Sequence, residues 1–429
     1  MNIDPIVEDL ELPFDWEKSE LFKYTEKPQY GFTDSAVENG EYKFLRITDI
    51  QDSQVIWSKV PYCKCNESEY FKYCLKEGDI LFARIGATTG KSYYATNPPK
   101  SIFASYLIRV RAVDNKLDSK FLFYYFQSSF YWKQINQNKS NNLKGGVNGT
   151  ILSGLSIIKP PLPEQRKIAA ILSTVQKAIE NQQALIDRTT ELKKAMMHKL
   201  FTEGTKGEKQ KMTEIGLVPE SWEVVPCDSL CSLITVGVVV RPASYYVQKG
   251  VPAFRSFNVR EDFLNISDIV YFAKDICDTI HKKSQLHTGD VLVVRTGYPG
   301  TSCVVPEEYD GANCIDIVIV RPNNNLIDSY FLSRFFNSSA GKNQSVSAKH
   351  GLAQQHLNVA AIKRTRIPLP NIKEQKAISE IILQIDNKKQ VHLQKKSSFE
   401  ELFRTLLHQL MTAQIRVDTI DLNFLKDAV

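Results

Sequence analysis

Gly86-Ala-Thr-Thr-Gly-Lys-Ser92 falls one residue short of a phosphate-cradling P-loop. Three residues separate its glycines where four are needed to wrap a phosphate with backbone amides. The chain carries a second version, Gly297-Tyr-Pro-Gly-Thr-Ser302, which has no lysine. Tyr93-Tyr94-Ala95 and Cys303-Val304-Val305, which follow the two versions, read as strands and not as the helix whose N-terminus would hold an anion. Asn97-Pro-Pro-Lys100 resembles the Asn-Pro-Pro-aromatic motif of adenine methyltransferases, but Lys100 stands where a flipped base needs an aromatic ring to stack on. Cys63, Cys65 and Cys74, or Cys277, His281 and His287, offer metal-ligand chemistry without the spacing of a finger or ribbon. His198 and His408 sit in matching places near the ends of helices, which suits charge complementation there better than catalysis. No nucleophile, base and orienting acid stand together. The chain is therefore expected to be non-catalytic and to need no cofactor or metal, the alternative being a methyltransferase or ATPase built on these degenerate motifs.

Recognition chemistry is better supplied. Arg46 and Arg255 follow matching strands, and Arg84 and Arg295 precede matching glycines. An arginine fork suits guanine in the major groove or a phosphate, although an arginine present in both copies also suits an internal brace. Two domains that read different bases must differ where they touch them. Residues 87–91 against 298–301 is one such place, which singles out Lys91, Tyr298 and Thr301. Residues 139–148 against 349–358 is another, with Lys144 and Asn148 in the first copy and Lys349, Gln354 and Gln355 in the second.

These comparisons are possible because the chain is a tandem repeat. Gly78-Asp-Ile-Leu81 with Arg84 returns as Gly289-Asp-Val-Leu292 with Arg295, an offset of 211 residues. Asp118-Ser119, Glu164-Gln165 and His198 return as Asp328-Ser329, Glu374-Gln375 and His408, an offset of 210. Pro13 and Trp16 return as Pro219 and Trp222. Each copy begins with short Val, Ile, Phe and Tyr runs between Gly, Pro, Asn and Asp punctuation, as at 43–50, 79–84 and 102–111, which predicts a strand-rich globular part. Each then enters a long helix. Ile168, Ile171, Val175, Ala178, Leu185, Leu192 and Met196 recur at alternating three- and four-residue steps, as do Ile378, Ile381, Ile385, Phe399, Leu402 and Leu406. About 37 residues of helix would extend roughly 55 Å. Neither stripe can be buried alone, so the two helices are expected to pair antiparallel, placing the globular parts at opposite ends of a rod related by a pseudo-two-fold axis.

Composition fits this picture. The 429 residues suffice for two or three domains, and a net charge of +6 permits a polyanionic partner. The longest apolar runs are strand-length, so no membrane span is expected. Residues 2–13 lack the basic-then-apolar order of a secretory leader, and the eight cysteines form no paired framework, which together predict a cytoplasmic protein.

A globular part, then a Pro-Glu-Gln entry into a helix ending Glu191-Leu-Lys-Lys-Ala-Met-Met-His-Lys-Leu-Phe201, all repeated once, resembles the specificity subunit of type I restriction-modification systems. The resemblance spans essentially the whole chain. Its most specific elements are Pro160-Pro-Leu-Pro-Glu-Gln165, Pro368-Leu-Pro-Asn-Ile-Lys-Glu-Gln375 and the two Gly-Asp strands. It implies an α+β fold with two mixed target-recognition domains at 1–160 and 207–367, spacer helices at 161–206 and 368–415, and a tail at 416–429. It further implies that each domain reads one half of a bipartite, asymmetric site in double-stranded DNA. The expected partners are two modification (methyltransferase) subunits and, in the full complex, ATP-dependent restriction subunits.

Overall fold

The computed structural model describes residues 12–51, 54–113, 115–140, 146–347 and 357–421. The chain forms two compact units that do not coincide with the two repeats: residues 1–183 with 394–429, and residues 184–393. Each unit thus combines one globular part with one half of each long helix.

In the first unit, a four-stranded antiparallel sheet runs in the order Gln29–Tyr30, Leu107–Val110, Ile80–Ala83, Ser92–Tyr94. A second sheet contains a parallel pair, Tyr42–Leu45 with Ser101–Phe103, and a two-stranded ribbon joins Glu17–Glu20 to Ser156–Lys159. The second unit repeats the plan. Its sheet runs Cys231–Val236, Ile317–Pro322, Val291–Val294, Ser302–Val304; its parallel pair is Val251–Phe254 with Asn313–Cys314; its ribbon joins Glu223–Pro226 to Arg366–Leu369. The Gly-Asp of each repeat explains part of this likeness. Asp79 and Asp290 are buried, and each receives a bidentate arginine from the neighbouring strand's end: Arg111 at 2.7 and 3.0 Å, Arg321 at 2.8 and 2.8 Å. A buried carboxylate needs such a partner, so the repeated aspartate fixes strand register.

The long helices span Leu162–Glu203 and Ile372–Met411. Where the second entry differs from the first, Asn371 caps the helix by accepting from the Glu374 amide at 3.1 Å. Gly204, at φ 65°, ends the first helix in the left-handed conformation. In the first unit, Ile168 and Leu172 share a core with Phe403, Leu407, Leu410 and Met411. In the second, Met197, Leu200 and Phe201 share one with Ile378 and Ile382. Each start packs with the other's end, so the helices pair antiparallel.

The buried stripe departs from the expected one. Leu192, Ile381 and Leu402 are exposed, whereas Ile186, Met197, Ile382, Phe403 and Leu407 are buried. Each helix end faces both its partner and a globular part, and that double contact widens and rotates the buried face relative to a simple two-helix seam. Among the described residues, no helix is long and apolar enough to cross a membrane.

Candidate nucleic-acid interface

The divergent loops leave the same scaffold in both units. Strand Ile80–Ala83 ends at Arg84, the chain turns at Gly86 and Gly90, and it re-enters the sheet at Ser92–Tyr94. Val291–Val294, Arg295, Gly297, Gly300 and Ser302–Val304 do the same. Ser92 continues into a strand, so the residues after the near-P-loop present no helix N-terminus. Gly300 has φ 85°, and a Cβ there would meet the Ser345 hydroxyl at 2.7 Å, so glycine is required twice over. These loops are seated by rigid strands and a following helix while their side chains differ, which is what a reading loop needs.

The predicted residues divide by how they are held. Tyr298 is 77% exposed at its loop tip, and Lys91 is also exposed. Thr301 is half-buried, with its backbone bonded to Val294 and Tyr298. Arg46 forks onto the Asp49 carboxylate at 2.8 and 3.0 Å, and Arg255 donates to the carbonyl and carboxylate of Asp268 at 2.6 and 2.7 Å. Arg84 lies 5.0 Å from the Tyr30 ring centre. Arg295 pairs with Asp316 and donates through Nε to the Leu357 carbonyl at 3.0 Å. Asn148 caps the helix Gly149–Ser153 by accepting from the Ile151 amide, as Asn358 caps Val359–Arg364. Lys144, Lys349, Gln354 and Gln355 lie outside the described residues. Of the zinc-tempting trio, Cys277 is buried, His281 packs against the Tyr245 and Phe272 rings, and His287 is exposed beside Asp310. Among the described residues, no three His, Cys, Asp or Glu side chains converge as metal ligands.

Two clefts in the first unit gather further polar groups. One, of about 820 Å³, brings Lys91 together with Lys120 and Lys177 over aromatic walls that include Trp57, Tyr94, Phe123 and Trp132. Burial pushes the Tyr93 and Tyr124 hydroxyls there up to about 12, so both remain neutral donors. The other, of about 930 Å³, opens between Gln51 and Gln54 of a hairpin and Gln176, Lys396, Glu400 and Arg404 of the long helices. Lys120 and Lys177 escaped sequence reasoning because neither belongs to a motif; only folding sets them beside Lys91. In the second unit, Lys193 is enclosed with Asp262 and Asp386. Burial alone would lower its pKa, but the two carboxylates outweigh burial and the net shift is upward, so it stays charged.

Comparison with known proteins agrees with this architecture. The model of the type I restriction modification DNA specificity domain matches twice, at residues 13–188 and 219–401. The chain is 28% identical over 426 residues to the putative type I restriction enzyme MjaX specificity subunit of Methanocaldococcus jannaschii, covering 95% of this chain and 96% of that protein. It is 27% identical over 422 residues to the MjaVIII specificity subunit of the same organism, covering 96% of each. Among solved structures, the S subunit of a type I restriction-modification system from M. genitalium superimposes with a TM-score of 0.56 at 15% identity, covering 94% of this chain and 98% of that one. A chain from a study of type I R-M complex assembly and conformational transition gives 0.57 at 18% identity, covering 94% and 100%. At these identities the superpositions speak for the fold.

Proposed function

This chain belongs to the type I restriction modification DNA specificity family, carrying the family's domain twice, and on that premise we propose that it is a non-catalytic subunit whose two units each read one half of a bipartite double-stranded DNA site. The observation that carries this reading is the pairing of one scaffold with two chemistries. Lys91 with its neighbouring threonines and the Tyr298–Thr301 segment leave matching strands at matching glycines, yet offer a cation in one unit and an aromatic ring in the other. Loops so placed discriminate bases through hydrogen bonds and apolar contacts, while surrounding lysines bind phosphate without regard to sequence. Methyl transfer, and ATP-driven translocation with cleavage in the larger assembly, would come from two modification subunits and from restriction subunits docked on this one.

The test is reconstitution with the cognate modification subunits followed by mapping of methylated adenines. A split motif with a non-specific spacer is expected, and none with the chain omitted. Exchanging residues 207–367 for those of a relative should change one half of the motif and leave the other, since distant contacts add independently. A single contiguous motif, or both halves altered by the exchange, would overturn the reading. The chain alone should bind no S-adenosylmethionine in calorimetric titration.

A further inference from the structure

The hairpin Val259–Arg260/Phe263–Leu264 turns through Glu261 and Asp262, the latter at φ 68°. Its tip is tied to both long helices. Lys193 Nζ lies 2.6 Å from Asp262 Oδ2 and 2.7 Å from Asp386 Oδ1, and the side chains of Lys193, Asp262 and Asp386 are only 13%, 11% and 25% exposed. Asp262 passes the restraint onward. Its Oδ1 accepts from Asn337 Nδ2 at 2.9 Å, and Asn337 in turn brackets the Ser302 backbone, accepting from its amide and donating to its carbonyl, both at 2.9 Å. The Asp262 amide donates to the same carbonyl at 3.0 Å. Ser302 directly follows Tyr298–Thr301. A continuous series of short polar contacts therefore links the helix pair to the base of the candidate reading loop.

Among the described residues of the first unit, the two matching helix positions carry no charge. Lys193 aligns with Phe403 and Asp386 with Gln176, as His198 aligns with His408; Asp262 aligns with Ser53, as Asn258 aligns with Asp49. Phenylalanine and glutamine cannot form the ion pairs, and the 930 Å³ cleft lined by Gln176 and Phe403 opens there. An enclosed three-charge cluster is a poor device for stability, because well-packed neutral residues serve as well or better; its best-attested use is to fix one arrangement among several.

We propose that Lys193 is a positioning residue for the second half-site: by holding Asp262 it sets the Tyr298–Thr301 loop in its reading register, and the first half-site does not depend on it. This rests on the two-reader function above. The test is the triple variant Lys193→Met, Asp262→Asn, Asp386→Asn, which removes all three charges, keeps their shapes and leaves asparagine, tolerant of positive φ, at 262. In the reconstituted complex, methylation of sites altered by single base pairs is measured for both halves. Discrimination at the second half-site should fall by about ten- to a hundredfold, the scale of an ångström-level misplacement, with the first half-site and the melting temperature little changed. Asp386→Asn alone, which retains the Lys193–Asp262 pair, should keep discrimination within about threefold of the wild type. Full discrimination in the triple variant, equal loss at both halves, or a triple variant that no longer folds would each overturn the proposal. A wild-type complex that methylates no split motif would instead overturn the two-reader function.

Discussion

Glu164 and Glu374 stand at the same place in the two repeats, both buried, and each is held by residues that follow the end of the other helix. Arg416 forks onto Glu164 at 2.8 and 2.9 Å, and Trp16 donates to it at 3.0 Å. Glu374 receives the Thr205 amide at 3.0 Å and hydroxyl at 2.9 Å, with Lys206 Nζ 3.1 Å away. Burial raises the Glu374 pKa, but those donors outweigh burial and the net shift is downward. A carboxyl whose folded pKa is depressed adds stability above its unfolded value of 4.5, and that contribution is lost as pH falls through the folded value. Glu374→Gln should therefore melt below the wild type near pH 7, and the gap should narrow in acid as pH falls below 4.5 and through the depressed folded value. Melts showing the same gap near neutrality and in acid would refute this. Sequence reading found the glutamates as repeat markers but not their partners, because Arg416 and Thr205 lie far away in sequence. It likewise found Asp79 and Asp290 but missed Arg111 and Arg321, which belong to no motif and become legible only once the strands are paired.

Helix existence and direction were legible in the repeating apolar steps, the Pro-Glu-Gln entries and Gly204. The buried face was not, because periodicity carries no information about which side the globular part covers. Two substitutions separate the expected stripe from the observed one. Leu192, 47% exposed, should tolerate serine within about 0.5 kcal/mol. Leu172, fully buried among residues of both helices and the first globular part, should lose about 2–5 kcal/mol as alanine, from lost burial and the cavity left behind. Denaturant unfolding of the two variants decides, and a larger loss at Leu192 than at Leu172 would mean that the alternating stripe is the true seam. The helix caps belong to this scale as well. Asn148→Ala should lose about 1 kcal/mol by removing the acceptor for the Ile151 amide, whatever the residue does toward DNA.

The first unit is incomplete without the end of the chain. Phe403, Leu407, Leu410, Met411 and Val417 enter its core, and Arg416 ties the chain back to Asp15 as well as Glu164. A fragment of residues 1–206 forfeits all of these and leaves Ile168 and Leu172 without their partners. The tandem repeat supplies a substitute, since Leu407, Leu410 and Met411 align with Met197, Leu200 and Phe201, all apolar and of similar size. A second copy of the fragment can therefore offer its own helix end to the first and receive the same in return, the isologous exchange that a closed dimer requires. The fragment should sediment as a dimer, and its melting temperature should rise with concentration. One position opposes the exchange: Lys193 falls where Phe403 packs against Tyr124, and in the fragment it lacks both Asp262 and Asp386. Lys193→Phe should strengthen the fragment dimer by about 2 kcal/mol, the scale of burying one aromatic side chain. With modification subunits added, such a dimer presents the same reader twice, so the methylated motif should become an inverted repeat of the first half-site. Sedimentation as a monomer at micromolar concentration, with a cooperative melt matching the full chain, would show that the first globular part is complete on its own and that the exchanged helix ends are not what closes its core.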